Sequence, residues 1–273
     1  MTLHPEIISR LPEHHTHKIP LLFVHGACMD ARCWDGFFLP FFVQNGYPCY
    51  AISLRGHETH RGWWTIHSAR MRDYVMDVET AVAQIPESPV LIGHSMGGHV
   101  VQKYLQKHDA PAAILMASIP PFGAWKSLLR TLRIHTLDFL RDALLFRRNV
   151  LRVSPEQLQK HCFSPDLPRD TLMKYHPRLH LESLPAMLDM LVLDRPRTEG
   201  ISPKTPLLIL GAQHDILFHP DDVRITAQAL HAPCTIFPDT AHNMMHDVRP
   251  EPVAACILDW LEKTDFKPQI NIP

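Results

Sequence analysis

The sequence has no long apolar run and almost no net charge. Its 27 Lys and Arg residues nearly balance its 28 Asp and Glu residues, which gives a formal net charge of −1 with the histidines neutral. A helix that crosses a bilayer needs about 20 consecutive apolar residues, and electrostatic capture of nucleic acid needs an excess of basic residues. We therefore expect no transmembrane segment and no nucleic-acid partner.

The sequence also lacks the cysteine spacing of a metal site and the pattern of a secretory signal. Its 6 cysteines do not form two closely spaced pairs, and the first residues offer neither a basic region nor an apolar core. We predict free thiols, a cytoplasmic protein, and no metal or organic cofactor. His14, His15 and His17 lie between two predicted strands, which favours an exposed hairpin loop over a metal site. None of these patterns indicates the oligomeric state.

The composition that remains is typical of a globular domain. The 273 residues are 45% hydrophobic and 20% charged, enough for one sizeable core. Short apolar runs bounded by turn residues predict strands at residues 6–10, 21–25, 49–53, 89–92, 112–116, 207–210 and 234–237. Helical spacing between them, clearest over residues 71–84, predicts alternating helices. This alternation predicts an α/β fold with a mostly parallel sheet flanked by helices on both faces.

One short motif predicts catalysis. Residues 93–97 read G-H-S-M-G, after an apolar run and before a helix-forming stretch. A strand, a tight turn and a helix in this order hold a serine hydroxyl clear of the sheet, and the free amides at the helix start favour negative charge there. The motif predicts that Ser95 is a nucleophile, the alternative being an ordinary glycine-rich turn.

A serine nucleophile needs a base, and the base needs an orienting acid. Asp215 follows a predicted late strand, and His242 lies in the loop after the last one, so that the chain order is Ser, Asp, His. His246 competes for the role of base, but it begins the run into the final helix. The acids that compete with Asp215 are Asp221 and Asp222 in the first turn of a predicted helix, and Asp239 beside His242.

These segments resemble the α/β-hydrolase superfamily, and the resemblance covers nearly the whole chain. Besides the serine turn, the matching residues are 22–27 (LFVHGA), 54–57 (LRGH), 211–215 (GAQHD) and 241–242 (AH). The resemblance implies the α/β-hydrolase fold and a catalytic triad of Ser95, Asp215 and His242. It also implies an oxyanion hole formed by the backbone amides of Ala27 and Met96, with Cys28 as the less favoured donor.

A long segment without a predicted strand interrupts the alternation. Residues 118–204 have helical patterns, including an amphipathic stretch over residues 125–145 and a further candidate at 184–193. We predict a helical cap inserted after the sixth strand, between two parts of a hydrolase core at residues 1–117 and 205–273; the alternative is a helical layer unrelated to the site. The candidate substrate-binding residues are His25, Gly26, His94, Phe122, Trp125 and Met187.

The predicted function is therefore that of a serine hydrolase acting on a carboxylic ester through an acyl-enzyme on Ser95. The leucine-rich cap and residues 242–245 are similar to lysophospholipase and monoacylglycerol-lipase-like enzymes, which implies a small-molecule or lipid ester with a lipophilic acyl group. Three alternatives remain at this point. A thioesterase or acyltransferase would share the triad, a cofactor-free dioxygenase would use the His–Asp pair as a base, and a ligand-binding protein would not catalyse at all.

Overall fold

A computed structural model describes residues 5–14, 18–58, 63–125, 129–130 and 154–266 of the chain, without the side chains of residues 63–65. Within this part of the chain, seven strands form one sheet. The strands are β1 (Glu6–Arg10), β2 (Leu21–Val24), β3 (Cys49–Ser53), β4 (Val90–His94), β5 (Ala113–Met116), β6 (Leu207–Ala212) and β7 (Cys234–Phe237). The described α-helices are α1 (Phe38–Gln44), α2 (Trp63–Ser68), α3 (Met71–Gln84), α4 (Met96–Leu105), α5 (Pro155–Cys162), α6 (Arg169–Tyr175), α7 (Leu184–Leu188), α8 (Pro220–Ala229) and α9 (Glu251–Lys263).

The sheet has the order β1-β3-β2-β4-β5-β6-β7, and only β1 runs antiparallel to its neighbour. The predicted mostly parallel sheet is confirmed. The predicted hairpin is wrong, because β1 pairs with β3 and β3 lies between β1 and β2. All positions of β2 are buried, which suits a strand with parallel neighbours on both sides, whereas β1 is half exposed and lies at the edge.

Helices cover both faces of the sheet, and alternate residues of a strand contact opposite layers. In β2, Leu22 and Val24 join a hydrophobic cluster with residues of α3, α4 and α8. Leu21 and Phe23 join a second cluster with residues of α1 and α9. Among the helices that the structure describes, none combines the length and apolarity that a bilayer crossing requires.

The long segment lies between β5 and β6, and the helices that the structure describes there are α5, α6 and α7, followed by a π-helical turn at Asp189–Leu193. The segment follows the fifth of the strands that the structure describes, rather than a sixth. The candidate helix at residues 184–193 is divided between α7 and the π-helical turn. The candidate at residues 125–145 lies largely outside the described residues, and the division into core and cap stays a prediction.

Candidate active site

Ser95 lies in the turn between β4 and α4, at the carboxyl edge of the parallel strands. Its backbone has φ 52° and ψ −114°, a left-handed conformation that costs energy for a residue with a side chain. The turn is held because the Ser95 N–H donates to the carbonyl of Met116 at 3.0 Å. The end of β4 and the start of α4 are in close contact here, since a Cβ on Gly93 would lie 2.6 Å from the carbonyl oxygen of Gly97.

A chain of hydrogen bonds joins Ser95 to His242 and Asp215. The Ser95 Oγ lies 3.1 Å from His242 Nε2, and His242 Nδ1 lies 2.8 Å from Asp215 Oδ2. The other carboxylate oxygen of Asp215 accepts from the N–H groups of Leu217 at 2.8 Å and Phe218 at 2.9 Å. Because Nδ1 of His242 donates to the carboxylate, Nε2 presents its lone pair to the serine hydroxyl. The structure thus brings together the three side chains that the sequence predicted as a triad.

Two buried histidines fix the backbone around this chain. The Nε2–H of His94 donates to the carbonyl of His242 at 2.9 Å. His25 accepts from the Leu54 N–H at 3.0 Å through Nε2 and donates from Nδ1 to the carbonyl of Gly26 at 2.8 Å. Burial lowers the pKa of His94 well below its usual value and lowers that of His25 to about 3, so both rings are neutral. Both were predicted to bind substrate, and the structure places them as supports of the surrounding loops.

The backbone amides of Ala27 and Met96 were predicted to form an oxyanion hole. Met96 begins α4 and Ala27 follows β2, and neither amide donates to an acceptor among the residues that the structure describes. The Cys28 amide is already engaged, because it donates to Glu182 Oε2 at 3.0 Å. This arrangement favours Ala27 over Cys28 as the second donor of the predicted oxyanion hole.

The competing candidates contact other groups. His246 is buried and stacks on Tyr175 with ring centroids 4.1 Å apart, and burial lowers its pKa to about 4. Asp239 pairs with Arg249, Asp221 with Arg224, and Asp222 with Arg130. None of these residues joins the Ser95–His242–Asp215 chain.

The predicted pocket residues of the insertion occupy different positions. Met187 is partly buried and packs, like Ala27, against the hydrophobic cluster that contains Met96. Phe122 is half-buried, and its carbonyl accepts from Arg195 at 3.3 Å. Trp125 is 42% exposed at the surface of the insertion. Of the three, Met187 has the surroundings expected of an apolar pocket wall.

Two buried carboxylates near the site were missed by the sequence analysis. Asp247 accepts from the Ala241 N–H at 2.6 Å and from the Ser164 hydroxyl at 2.7 Å, so it ties the histidine loop to the insertion. Glu182, as noted, holds the Cys28 amide. No local motif marks either residue. Within the described ranges, no group of three or more His, Cys, Asp or Glu side chains is arranged to hold a metal ion.

Gly26 follows β2 and packs against the serine turn. Replacing it by alanine is expected to reduce ester turnover. A Cβ at this position would lie 2.7 Å from His94 Nδ1 and 3.2 Å from Ser95 Cβ. Since His94 is fully enclosed, the clash must displace either the serine turn or the loop that carries the Ala27 amide, and we expect a loss of at least ~10-fold in kcat. Steady-state kinetics on a p-nitrophenyl ester measure it. Gly36→Ala is the matched control, because a Cβ there meets no atom within 4 Å, and equal kinetics for both variants would contradict the prediction.

A parallel sheet with a serine-bearing turn at its carboxyl edge is the architecture of the α/β hydrolases. The sequence model of the alpha/beta hydrolase family matches residues 21–256 of this chain. The chain therefore belongs to the alpha/beta hydrolase family, and the fold expected from the resemblance is confirmed.

Curated relatives match part of the chain. It is 32% identical over 135 residues to a non-heme haloperoxidase from Rhodococcus erythropolis, covering 48% of each protein. It is 33% identical over 141 residues to a non-heme chloroperoxidase from Burkholderia pyrrocinia, covering 47% of this chain and 48% of that protein. The matched region thus spans about half the length of these curated relatives.

Solved structures resemble the chain over nearly its full length. An esterase from Exiguobacterium antarcticum has a TM-score of 0.74 at 15% identity, with 95% of this chain and 96% of that chain covered. A monoacylglycerol lipase from Paleococcus ferrophilus has a TM-score of 0.68 at 19% identity, with 95% and 98% covered. At these identities the likeness shows the fold alone, and it agrees with the family match.

Proposed function

We propose that the protein is a serine hydrolase that cleaves a carboxylic ester through an acyl-enzyme on Ser95. The observation that carries the proposal is the buried hydrogen-bond chain from Ser95 Oγ through His242 to Asp215, with distances of 3.1 and 2.8 Å. These are the contacts through which a base activates a hydroxyl and a carboxylate orients the base.

In the acylation step, His242 Nε2 takes the hydroxyl proton as Ser95 Oγ attacks the ester carbonyl carbon. The carbonyl oxygen becomes an oxyanion, which accepts hydrogen bonds from the amides of Ala27 and Met96. Loss of one such donor costs roughly 3 kcal/mol of transition-state stabilisation. The C–O bond to the alcohol then breaks, and the imidazolium returns its proton to the leaving oxygen.

In the deacylation step, water takes the place of the alcohol. His242 removes a proton from the water as its oxygen attacks the acyl carbon, and the proton passes to Ser95 Oγ as the acid leaves. Asp215 keeps His242 in the required tautomer and stabilises its transient positive charge in both steps.

The substrate is proposed to be a small-molecule or lipid ester with a lipophilic acyl group. Support comes from Met187, a partly buried apolar residue of the insertion that packs, like Ala27, against the same hydrophobic core, because lipophilic ligands are bound by apolar side chains. The named activity of the Paleococcus lipase is consistent with this class. In this proposal residues 1–117 and 205–273 are the catalytic core, and residues 118–204 are a cap that contributes to the pocket.

A labelled fluorophosphonate and a series of p-nitrophenyl esters test the proposal. We expect the probe to attach to Ser95, as mapped by peptide mass spectrometry, and kcat/KM to rise from the acetate to the octanoate ester. Absence of labelling together with absence of ester turnover would overturn the serine hydrolase. A steep fall beyond acetate would overturn the lipophilic substrate alone. Transfer of the acyl group to an added alcohol would identify an acyltransferase. A preference for the matching thioester over the ester would identify a thioesterase.

Halide oxidation is a second candidate, favoured by the names of the two curated relatives that match about half of the chain. Bromination of an organic acceptor in the presence of bromide and hydrogen peroxide measures it in the same preparation. Bromination without any ester turnover would favour this candidate over the first.

A further inference from the structure

Glu182 is a buried carboxylate that the proposed chemistry does not use. It lies in the insertion, is 2% exposed, and accepts four hydrogen bonds. One oxygen accepts from the Cys28 N–H at 3.0 Å and from His57 Nε2 at 3.1 Å. The other accepts from the Tyr74 hydroxyl at 2.8 Å and from the Ser183 N–H at 2.8 Å. Both oxygens are therefore saturated by four donors, one from the next residue and three from separate parts of the chain.

The charge of this carboxylate is balanced by His57. Burial alone would raise the pKa of Glu182, but the positive charge and hydrogen bond of His57 outweigh it and lower that pKa to about 2. Burial alone would lower the pKa of His57, and the facing carboxylate raises it instead. The rings of His25, Tyr74 and His180 surround His57 with centroids 5.1 to 6.0 Å away. Removing one partner of such an enclosed pair leaves the other without compensation.

The segment around Glu182 holds both sides of residue 28. Cys28 has a φ of 64°, a strained value for a residue with a side chain. Its N–H donates to Glu182, and its carbonyl accepts from the His180 N–H at 2.8 Å. His180 Nε2 also contacts Asp30 Oδ2 at 2.9 Å. The insertion therefore fixes the orientation of the peptide groups directly after Ala27.

We propose that Glu182 is a positioning residue that orients the loop carrying the Ala27 amide, so that the insertion completes the oxyanion hole. The inference rests on the proposed function, because it assigns the Ala27 amide to the oxyanion. Without the Glu182 contact, the strained Cys28 backbone relaxes and the preceding peptide plane rotates with it. That plane joins Ala27 to Cys28, and its rotation turns the neighbouring Gly26–Ala27 peptide, so that the Ala27 N–H no longer points to the position where the oxyanion forms.

Glu182→Gln tests this with little change in shape. An amide offers one acceptor oxygen, so two of the four donors face an NH2 group, and His57 loses its counter-charge. We expect kcat on p-nitrophenyl butyrate to fall about 10- to 100-fold with KM changed less than ~3-fold, as for a weakened oxyanion donor. A trifluoromethyl alkyl ketone forms a tetrahedral adduct with an oxyanion, so its inhibition constant should rise by the same factor as kcat/KM falls.

Asp189→Asn is the matched control. Asp189 is also a buried carboxylate of the insertion, but it contacts Arg70 Nε at 2.7 Å and the Met71 N–H at 3.2 Å at the start of α3. We expect a comparable loss in melting temperature with kcat and ketone inhibition within ~2-fold of the parent. An equal loss of kcat and of ketone inhibition in both variants would overturn the proposal, since it would show a general structural effect.

Amide hydrogen exchange of residues 26–30 provides a measurement that needs no turnover. Glu182→Gln should accelerate exchange in this peptide at least ~10-fold, and Asp189→Asn should not. Unchanged exchange in Glu182→Gln would overturn the positioning role whatever the kinetics show. A parent protein without ester turnover or fluorophosphonate labelling would overturn the proposed function instead, while accelerated exchange in Glu182→Gln would still support the hold on the loop.

Discussion

Ser95→Ala is expected to lower kcat for ester hydrolysis by roughly 10⁴- to 10⁶-fold. The Ser95 hydroxyl is the group that His242 Nε2 contacts, at 3.1 Å, and in the proposed mechanism no acyl-enzyme forms without it. The amides of Ala27 and Met96 remain in place, so KM should change little and the residual rate should reflect oxyanion stabilisation of direct attack by water. Turnover of p-nitrophenyl butyrate by the purified variant measures the loss.

Ser118→Ala is the control for the removal of a buried hydroxyl. Ser118 follows β5, and its Oγ bonds to Gln102 at 3.0 Å and to the Ile119 carbonyl at 3.1 Å. We expect it to lose stability of about 1 kcal/mol and to keep its turnover. If Ser95→Ala retained much of the activity while His242→Ala lost it, the His–Asp pair would act as a base without the serine, as in a cofactor-free dioxygenase.

The elements that the sequence predicted well are those whose pattern is local. Helix α3 has the predicted bounds, Met71–Gln84, because its apolar residues recur at helical spacing and pack on the sheet. The pairing of β1 could not be predicted in this way. The pairing depends on β3, which lies between β1 and β2 in the sheet although it follows both in the sequence. The polar loop between β1 and β2 has the composition of a hairpin turn, so its sequence alone predicts the wrong pairing.

The same distinction applies to the site. Ser95, Asp215 and His242 were identified because each follows a strand, and parallel strands bring their carboxyl ends to one edge. Glu182 and Cys28 are 154 positions apart, and nothing in the sequence around Glu182 distinguishes it from a surface glutamate. Its role depends on how the insertion packs against the loop after β2, which no local pattern encodes.

Acid should destabilise the protein steeply below pH 6.5, because several histidines are buried in the neutral form. Burial lowers the pKa of His25 to about 3 and those of His99 and His246 to about 4, and it lowers that of His94 strongly. In the unfolded chain these rings take up protons near pH 6.5, whereas in the folded protein they do not. Stability is therefore present above pH 6.5 and is lost as the pH falls towards 4.

The expected loss of unfolding free energy is about 1.4 kcal/mol per pH unit for each ring, or roughly 5 kcal/mol per pH unit for four of them. That is comparable with the total free energy of unfolding of a typical domain, about 5–15 kcal/mol. The raised pKa of His57 acts in the opposite direction: its pair with Glu182 is complete below pH 6.5 and is lost as the pH rises through the folded-state pKa. Maximum stability should therefore lie near neutral pH.

Urea unfolding at pH 7.5 and pH 5.5 measures this loss, and His99→Gln provides the control. The His99 Nε2–H donates to the Asp194 carbonyl at 3.0 Å, a contact that a glutamine amide can reproduce without titrating. Each protein is compared with its own unfolding free energy at pH 7.5. The decrease in that free energy at pH 5.5 should be about a quarter smaller in the variant than in the parent, because one of four rings no longer titrates. An unfolding free energy that is the same at both pH values would mean that these rings are not buried in the neutral form. An identical pH dependence in His99→Gln would mean the same for His99.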